Sequence, residues 1–411
     1  MKKIISVFLA VFLFVCTLSV SAFAEDGDAY AYDMEYYSKL KGQNVTIYVY
    51  NWGEYISDGS DDSMDVVKEF EALTGINVEY TTFDSNESLF AKLKSGSASY
   101  DVIIPSDYMV SRLADNGMLN KLNYENIPNF EKYIDAEFKN PEYDAQNEYS
   151  VPYMWGTVGV IYNTKYVDEA DIGSWDLLWN EKYAGKILMF DNSRDAFAIA
   201  LSKLGYSMNT TNEEELKAAA EELAKQGSVV QAYVMDQIFD KMVEENAYIA
   251  PYYAGDYLTM AEDNEDLAFY IPEEGTNLFT DAMCIPSTCQ NQEAAEMFIN
   301  FMCEPTVSAA NTDYICYSTP ISAAKELIDP EMAASEIAYP SAEVLAKTER
   351  YKNLSDEANQ LMDDLWISGV RTNKLTAGFW VSLGVICVLV LVAVFRNMYV
   401  KKKRMEARMK Y

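Results

Sequence analysis

The stretch Val45-Thr46-Ile47-Tyr48-Val49-Tyr50-Asn51-Trp52-Gly53-Glu54-Tyr55 decides the reading of this chain. Its first five residues are mostly β-branched or aromatic and alternate in polarity, the composition of a short buried strand. The last six are polar and aromatic and precede an acidic, glycine-containing loop. In open α/β sheets, ligands bind in the crevice beyond the carboxyl ends of the strands. The stretch therefore reads as a strand that opens into a site carrying two aromatic faces and one anion. The plainer alternative is that Trp52 and Tyr55 only close a core, and the rest of the chain has to decide.

Downstream, Val66, Val67, Phe70 and Leu73 share one helical face that stops at Gly75, a helix with a glycine end. Residues 77–83 alternate as a strand, Leu89, Phe90 and Leu93 mark a second helix, and 100–105 is a third strand. A further helix starts at Met109 to Leu113 and ends near Gly117. This β-α-β-α-β order predicts a parallel sheet covered by helices. Residues 149–163 form a long extended passage broken by Pro152 and Gly156, after which the alternation restarts. Strands are predicted at 186–190, 249–253, 268–272 and 282–286, and helices at 194–204, 213–225 and 293–302. Leu354, Ala358, Leu361 and Leu365 suggest a last helix.

Both ends carry membrane signals. Met1-Lys2-Lys3, the apolar run 4–20 and Ala22-Phe23-Ala24 form a secretory signal peptide, with cleavage expected after Ala24. Residues 375–395 are uncharged, with Trp380 near the outer end, and Arg396, Lys401, Lys402, Lys403 and Arg404 follow. Such a run suffices to cross a bilayer, with the basic flank 396–411 on the cytoplasmic side.

The formal charge of -32 is unevenly spread, because the two ends hold nine basic residues and one acid. The ectodomain is therefore near -40, a field that repels nucleic acid and draws in cations. The chain has no histidine, which removes the commonest general base and metal ligand, so any catalysis would rest on carboxylates. Cys284, Cys289, Cys303 and Cys316 lie outside the membrane. They permit one disulfide, three pairings of two, or free thiols.

An ectodomain of about 350 residues exceeds one ordinary core. Two lobes are expected: 44–152 with 279–322, and 153–278 with 323–367. An acidic leader, 25–43, is expected to add little to either.

Several motifs occur in one order: Tyr50 to Tyr55, Ser85-Asn86-Glu87 with Ala91-Lys92-Leu93-Lys94, Tyr100-Asp101-Val102-Ile103-Ile104-Pro105-Ser106, Tyr149-Ser150-Val151-Pro152-Tyr153-Met154-Trp155-Gly156, and Ile299-Asn300-Phe301. Over about 45–367 they resemble the spermidine/putrescine-binding proteins of polyamine ABC importers. The resemblance implies an α/β, two-lobed periplasmic-binding-protein fold of type II that closes on its ligand by hinge bending. To this the sequence adds one C-terminal transmembrane helix. It further implies polyamine capture in an aromatic and acidic interlobe cleft, permease subunits as partners, a monomer, no cofactor and no enzymatic activity. The ectodomain would be extracellular.

By position, Trp52 and Tyr55 are similar to the family's aromatic floor, Glu54 to an end-group carboxylate, and Ser106 and Tyr108 to polar contacts after the third strand. Asp195 matches an acid that binds an amino group. Tyr253 and Phe279 stand where the family has Trp, Asp281 matches the central carboxylate, and Tyr317 lies in a similar Tyr-x-Thr-Pro stretch. Asn192 replaces an Asp of spermidine-preferring members, whereas Asp256 resembles the putrescine-preferring pattern. The design suits flexible methylene chains bearing ammonium groups, since aromatic faces attract cations and carboxylates pair with them. Three other readings compete: a binding protein for another cationic solute (an amino acid, thiamine or a metal complex), a two-carboxylate hydrolase, or an adhesive surface protein.

Overall fold

Strand β1, Thr46–Trp52, buries Ile47 and Val49 completely and leaves Tyr48 between them 48 % exposed, the two-residue alternation written in its sequence. The computed structural model describes residues 30–371. Nine further strands follow among them: β2 Asn77–Phe83, β3 Val102–Ile103, β4 Ser150–Asn163, β5 Ile187–Phe190, β6 Val230–Val234, β7 Ile249–Tyr253, β8 Leu267–Tyr270, β9 Thr276–Cys284 and β10 Thr348–Glu349. The predicted signal peptide and the run 375–395 lie outside the described residues. Among the described residues no helix is long and apolar enough to cross a membrane.

The described chain forms two compact units. The first comprises residues up to 157, 254–259 and 278–345. In it β1 pairs parallel with β2 and β3, while β9 pairs antiparallel with β3 and with the first half of β4. The expected all-parallel sheet is thus mixed, because β9 enters from a distant part of the chain.

The helices on this unit follow local rules. Val66–Thr74 is capped by the Asp65 side chain and ends at Gly75 with φ +73°, a left-handed position that glycine adopts without a Cβ clash. Asn86–Lys94 opens with a Ser85/Ser88 capping box. Proline at 152 lacks an N–H, and the β4–β9 register shifts between Pro152 and Met154.

The second unit comprises 158–253, 260–277 and 346 onward. Here β4 pairs antiparallel with β7 and β8, β5 pairs parallel with β6 and β7, and β10 pairs parallel with the start of β9. Ile187–Phe190 is buried at every position, as a strand covered on both faces must be. The helix Ser193–Lys203 begins at Asn192, whose side chain accepts from the backbone N–H of Arg194 and Asp195.

Three expectations need correction: the leader, the start of one strand and the lobe to which two segments belong. The leader does contribute to a core: Met34–Tyr37 is helical, and Tyr37 is fully buried. Its hydroxyl donates to Glu304 Oε1 at 2.7 Å and accepts from Asn300 Nδ2 at 2.9 Å, partners that lie over 260 residues away. The strand expected at 282–286 starts at Thr276 instead, because its nearly continuous burial erases the alternation that would mark its beginning. Residues 323–345 group with the first unit, where Ser318 Oγ donates to the Ala338 carbonyl and the Tyr339 ring meets Trp155 edge-on at 5.9 Å. Residues 254–259 also belong there. The cysteines Cys284, Cys289, Cys303 and Cys316 are free thiols. Burial pushes the Cys289 thiol up to about 12, with Asp101 adding to the shift.

Candidate functional site

In the first unit β1 delivers Tyr55 just beyond its end, and β9 delivers Phe279 and Asp281. The Tyr55 hydroxyl donates to Asp281 Oδ2 at 2.7 Å, both residues being 4 % exposed. Burial, and next the Asp281 carboxylate, push the Tyr55 hydroxyl well above its ordinary pKa, so it remains a donor. Tyr153 donates to the Tyr55 carbonyl at 2.8 Å and meets its ring edge-on at 5.4 Å.

A second tyrosine–aspartate pair adjoins the first. Tyr317 donates to Asp256 Oδ2 at 2.8 Å, and its ring meets Tyr55 edge-on at 4.7 Å and Phe279 at 6.2 Å. Gly255 makes this approach possible: a Cβ there would lie 2.2 Å from Tyr317 Cδ2. Gly156 does the same for Phe279, whose Cζ would lie 3.0 Å from an added Cβ. Tyr55, Asp256, Phe279, Asp281 and Tyr317 therefore form one buried cluster of rings and carboxylates.

Trp52, Glu54, Ser106 and Tyr108 stand around β1 and β3. Trp52 is half-buried with its ring tilted against Phe83 at 4.5 Å, and its indole N–H has no acceptor among the described residues. Glu54 is exposed at φ +46°, a region costly for a side chain with a Cβ and often found at functional sites. Ser106 caps the helix Asp107–Asp115 through its backbone, while its Oγ accepts from Asn86 Nδ2 at 3.0 Å. An isolated bridge joins it to Asp281. Tyr108 donates to Glu87 Oε1 at 2.8 Å.

The second unit holds a separate cluster around Asp195, which is 5 % exposed. Its Oδ2 accepts from Asn192 Nδ2 at 2.8 Å and from the Tyr253 hydroxyl at 2.8 Å, and its Oδ1 accepts from the Tyr351 hydroxyl at 2.9 Å. Burial raises the Asp195 pKa, while the two tyrosine hydroxyls and Arg194 oppose the rise. Asn192 thus supplies a donor where an aspartate would set two carboxylates against each other. All three predicted residues of this unit, Asn192, Asp195 and Tyr253, come together.

Three residues were missed. Tyr153 lies inside a quoted motif, but the sequence marks residues 149–163 only as an extended passage. Glu87 also lay in a motif, and its partner Tyr108 is 21 residues away. Tyr351 carried no local signal, since it reaches Asp195 across 156 residues.

Residues 65–340 match the family of bacterial extracellular solute-binding proteins. The chain is 35% identical over 314 residues to the spermidine/putrescine-binding periplasmic protein of Salmonella typhimurium, covering 76% of this chain and 88% of that protein. It is 34% identical over 336 residues to the Escherichia coli protein of the same name, covering 82% and 92%. Among solved structures it is similar to the spermidine/putrescine ABC transporter substrate-binding protein PotD of Streptococcus pneumoniae. That match has a TM-score of 0.66 and 36% identity, over 80% of this chain and 100% of that one. With two α/β units, rings and carboxylates gathered in each, and this degree of likeness, the chain belongs to the bacterial extracellular solute-binding proteins, in the family of the spermidine/putrescine-binding proteins of ABC importers.

Proposed function

We propose that this chain captures a polyamine outside the cell and delivers it to an ABC permease. The observation that carries this reading is the repeated pairing of a buried aspartate with tyrosine hydroxyls among rings: Asp281 with Tyr55, Asp256 with Tyr317, and Asp195 with Tyr253 and Tyr351. Buried carboxylates are stabilised by a hydrogen-bonded cation, and tyrosine faces receive both ammonium groups and the methylenes between them. Trp52, Glu54, Ser106, Tyr108, Asn192 and Phe279 complete the proposed binding set. The ligand is spermidine or putrescine, the two polyamines in the names of the similar proteins.

The protein works as a monomer, without a cofactor, and residues 375–395 anchor it in the membrane with the ectodomain outside. No histidine and no activated nucleophile among the clustered residues favours a hydrolase. A thermal-shift panel of the full-length protein against putrescine, spermidine, spermine, cadaverine, lysine and thiamine tests the reading. A ligand at 100 times its dissociation constant stabilises by about 2.7 kcal/mol. A shift with lysine or thiamine and none with the polyamines overturns it.

A further inference from the structure

The stretch 191–195, which follows β5 and includes the first turn of the helix Ser193–Lys203, is held repeatedly by one later part of the chain, besides the bonds of Arg194 to Asn209 and of Asp195 to Tyr253. Asp191 Oδ2 accepts from Arg371 Nη2 at 3.1 Å. Ser193 Oγ donates to Asp363 Oδ1 at 3.2 Å. Arg194 Nη2 donates to the Lys352 carbonyl at 3.3 Å, and its guanidinium lies 4.6 Å from the centre of the Tyr351 ring. Asp195 Oδ1 accepts from Tyr351. Four of five consecutive residues thus touch the segment 351–371.

That segment is itself firmly seated in the second unit. It contains the helix Asp356–Leu365, capped by Ser355, and a final π-helical turn, Trp366–Arg371. Trp366 is 9 % exposed and meets Tyr233 edge-on at 5.6 Å, and the Arg371 guanidinium lies 4.6 Å from the same Tyr233 ring. The grip reaches Asn192 only through its neighbours: the asparagine's own bonds go to the backbone of Arg194 and Asp195 and to the Asp195 carboxylate.

We propose that the segment 351–371 is a clamp that positions Asn192 and Asp195 for the polyamine, with Arg371 as a positioning residue that never touches the ligand. This rests on the polyamine reading above. The mechanism is entropic: a loop already held in its binding geometry does not lose that freedom when ligand arrives. Arg371 acts on ligand affinity through Asp191, one residue before Asn192. The same segment precedes the proposed membrane run, so membrane attachment and the ligand loop share one element.

Putrescine and spermidine are titrated calorimetrically into the full-length protein and its variants. Asp195→Ala reports on the site reading itself, and loss of binding there is expected. Arg371→Ala should weaken binding about two- to fivefold, the range of an exposed ion pair. Arg371→Lys should retain most of the affinity, and the exchange Asp191→Arg with Arg371→Asp should recover it in part. If Arg371→Ala binds as tightly as the parent while Asp195→Ala is impaired, the clamp is wrong and the site stands. If the lysine and exchange variants stay as weak as Arg371→Ala, with a matching fall in melting temperature, the effect is general destabilisation and the clamp is again wrong. Unchanged binding by Asp195→Ala removes the site assignment and the clamp with it.

Discussion

Tyr55 and Asp281 are 226 residues apart in sequence and joined by a 2.7 Å hydrogen bond in the fold. The hydroxyl occupies one oxygen of the carboxylate, so in the proposed site the carboxylate that would face a cation is already held by a neighbour before ligand arrives. Asp281→Asn keeps the shape and removes the charge. We expect a loss of roughly 2 to 4 kcal/mol in polyamine binding, the range for breaking a desolvated charge pair, measured by calorimetry with the fold checked by circular dichroism. Unchanged affinity would take Asp281 out of the site.

Trp52 separates a binding role from a packing role. Its ring rests against Phe83 at 4.5 Å, a contact worth about 0.5 to 1.5 kcal/mol beyond the area it buries. Because the ring is half-buried, Trp52→Ala should cost the ligand-free protein less than the roughly 3 to 5 kcal/mol of a core tryptophan and weaken polyamine binding roughly tenfold, as a partly desolvated cation–π contact predicts. A loss of several kcal/mol in stability with little change in affinity would make it a core residue.

The pH dependence follows from Asp195, whose folded-state pKa burial holds above the ordinary value. A carboxyl with a raised folded pKa stabilises the ligand-free protein below its unfolded pKa of about 3.9. That contribution is lost as pH rises through the raised value. Ammonium binding favours the ionised form, so affinity should climb across the same window while ligand-free stability falls. Asp195→Asn should flatten both profiles, and an unchanged slope in either would exclude Asp195 as the group responsible.

Gly255 offers a test with an inverted sign. It lies in the helix Ala254–Asp263, where replacing glycine with alanine ordinarily gains up to about 1 kcal/mol. Here the new Cβ would fall 2.2 Å from the Tyr317 ring, so Gly255→Ala should instead destabilise by about 1 to 3 kcal/mol, as overpacking does. It should also weaken polyamine binding by displacing Tyr317 from Asp256. A raised melting temperature would show that the ring moves freely away.

The proposed anchor is tested by truncation after Asn373. The helical turn Trp366–Arg371 leaves only residues 372–374 before the predicted apolar run, and three residues reach at most about 11 Å. The truncated protein should appear in the medium with unaltered polyamine affinity and should support less uptake by cells. Retention in the membrane fraction after a high-salt wash would refute the proposed topology.

The sequence by itself determined those features whose cause is local. The helix Val66–Thr74 with its left-handed Gly75, the strand Asn77–Phe83 and the helix Gln292–Met302 lie within a residue or so of their expected positions, because caps, breakers and periodicity act over a few residues. The residue types of the proposed binding set are written in the sequence too, since rings and carboxylates appear in ordered motifs. Tertiary structure alone decided which of them meet. The pairings Tyr55 with Asp281 and Tyr351 with Asp195 depend on strands and segments brought together over more than 150 residues, and no local propensity encodes such a contact. The same holds for Tyr37, an ordinary residue in an acidic leader until Glu304 and Asn300 receive its hydroxyl. It holds equally for β9, whose burial on both faces removed the alternation by which a strand announces itself.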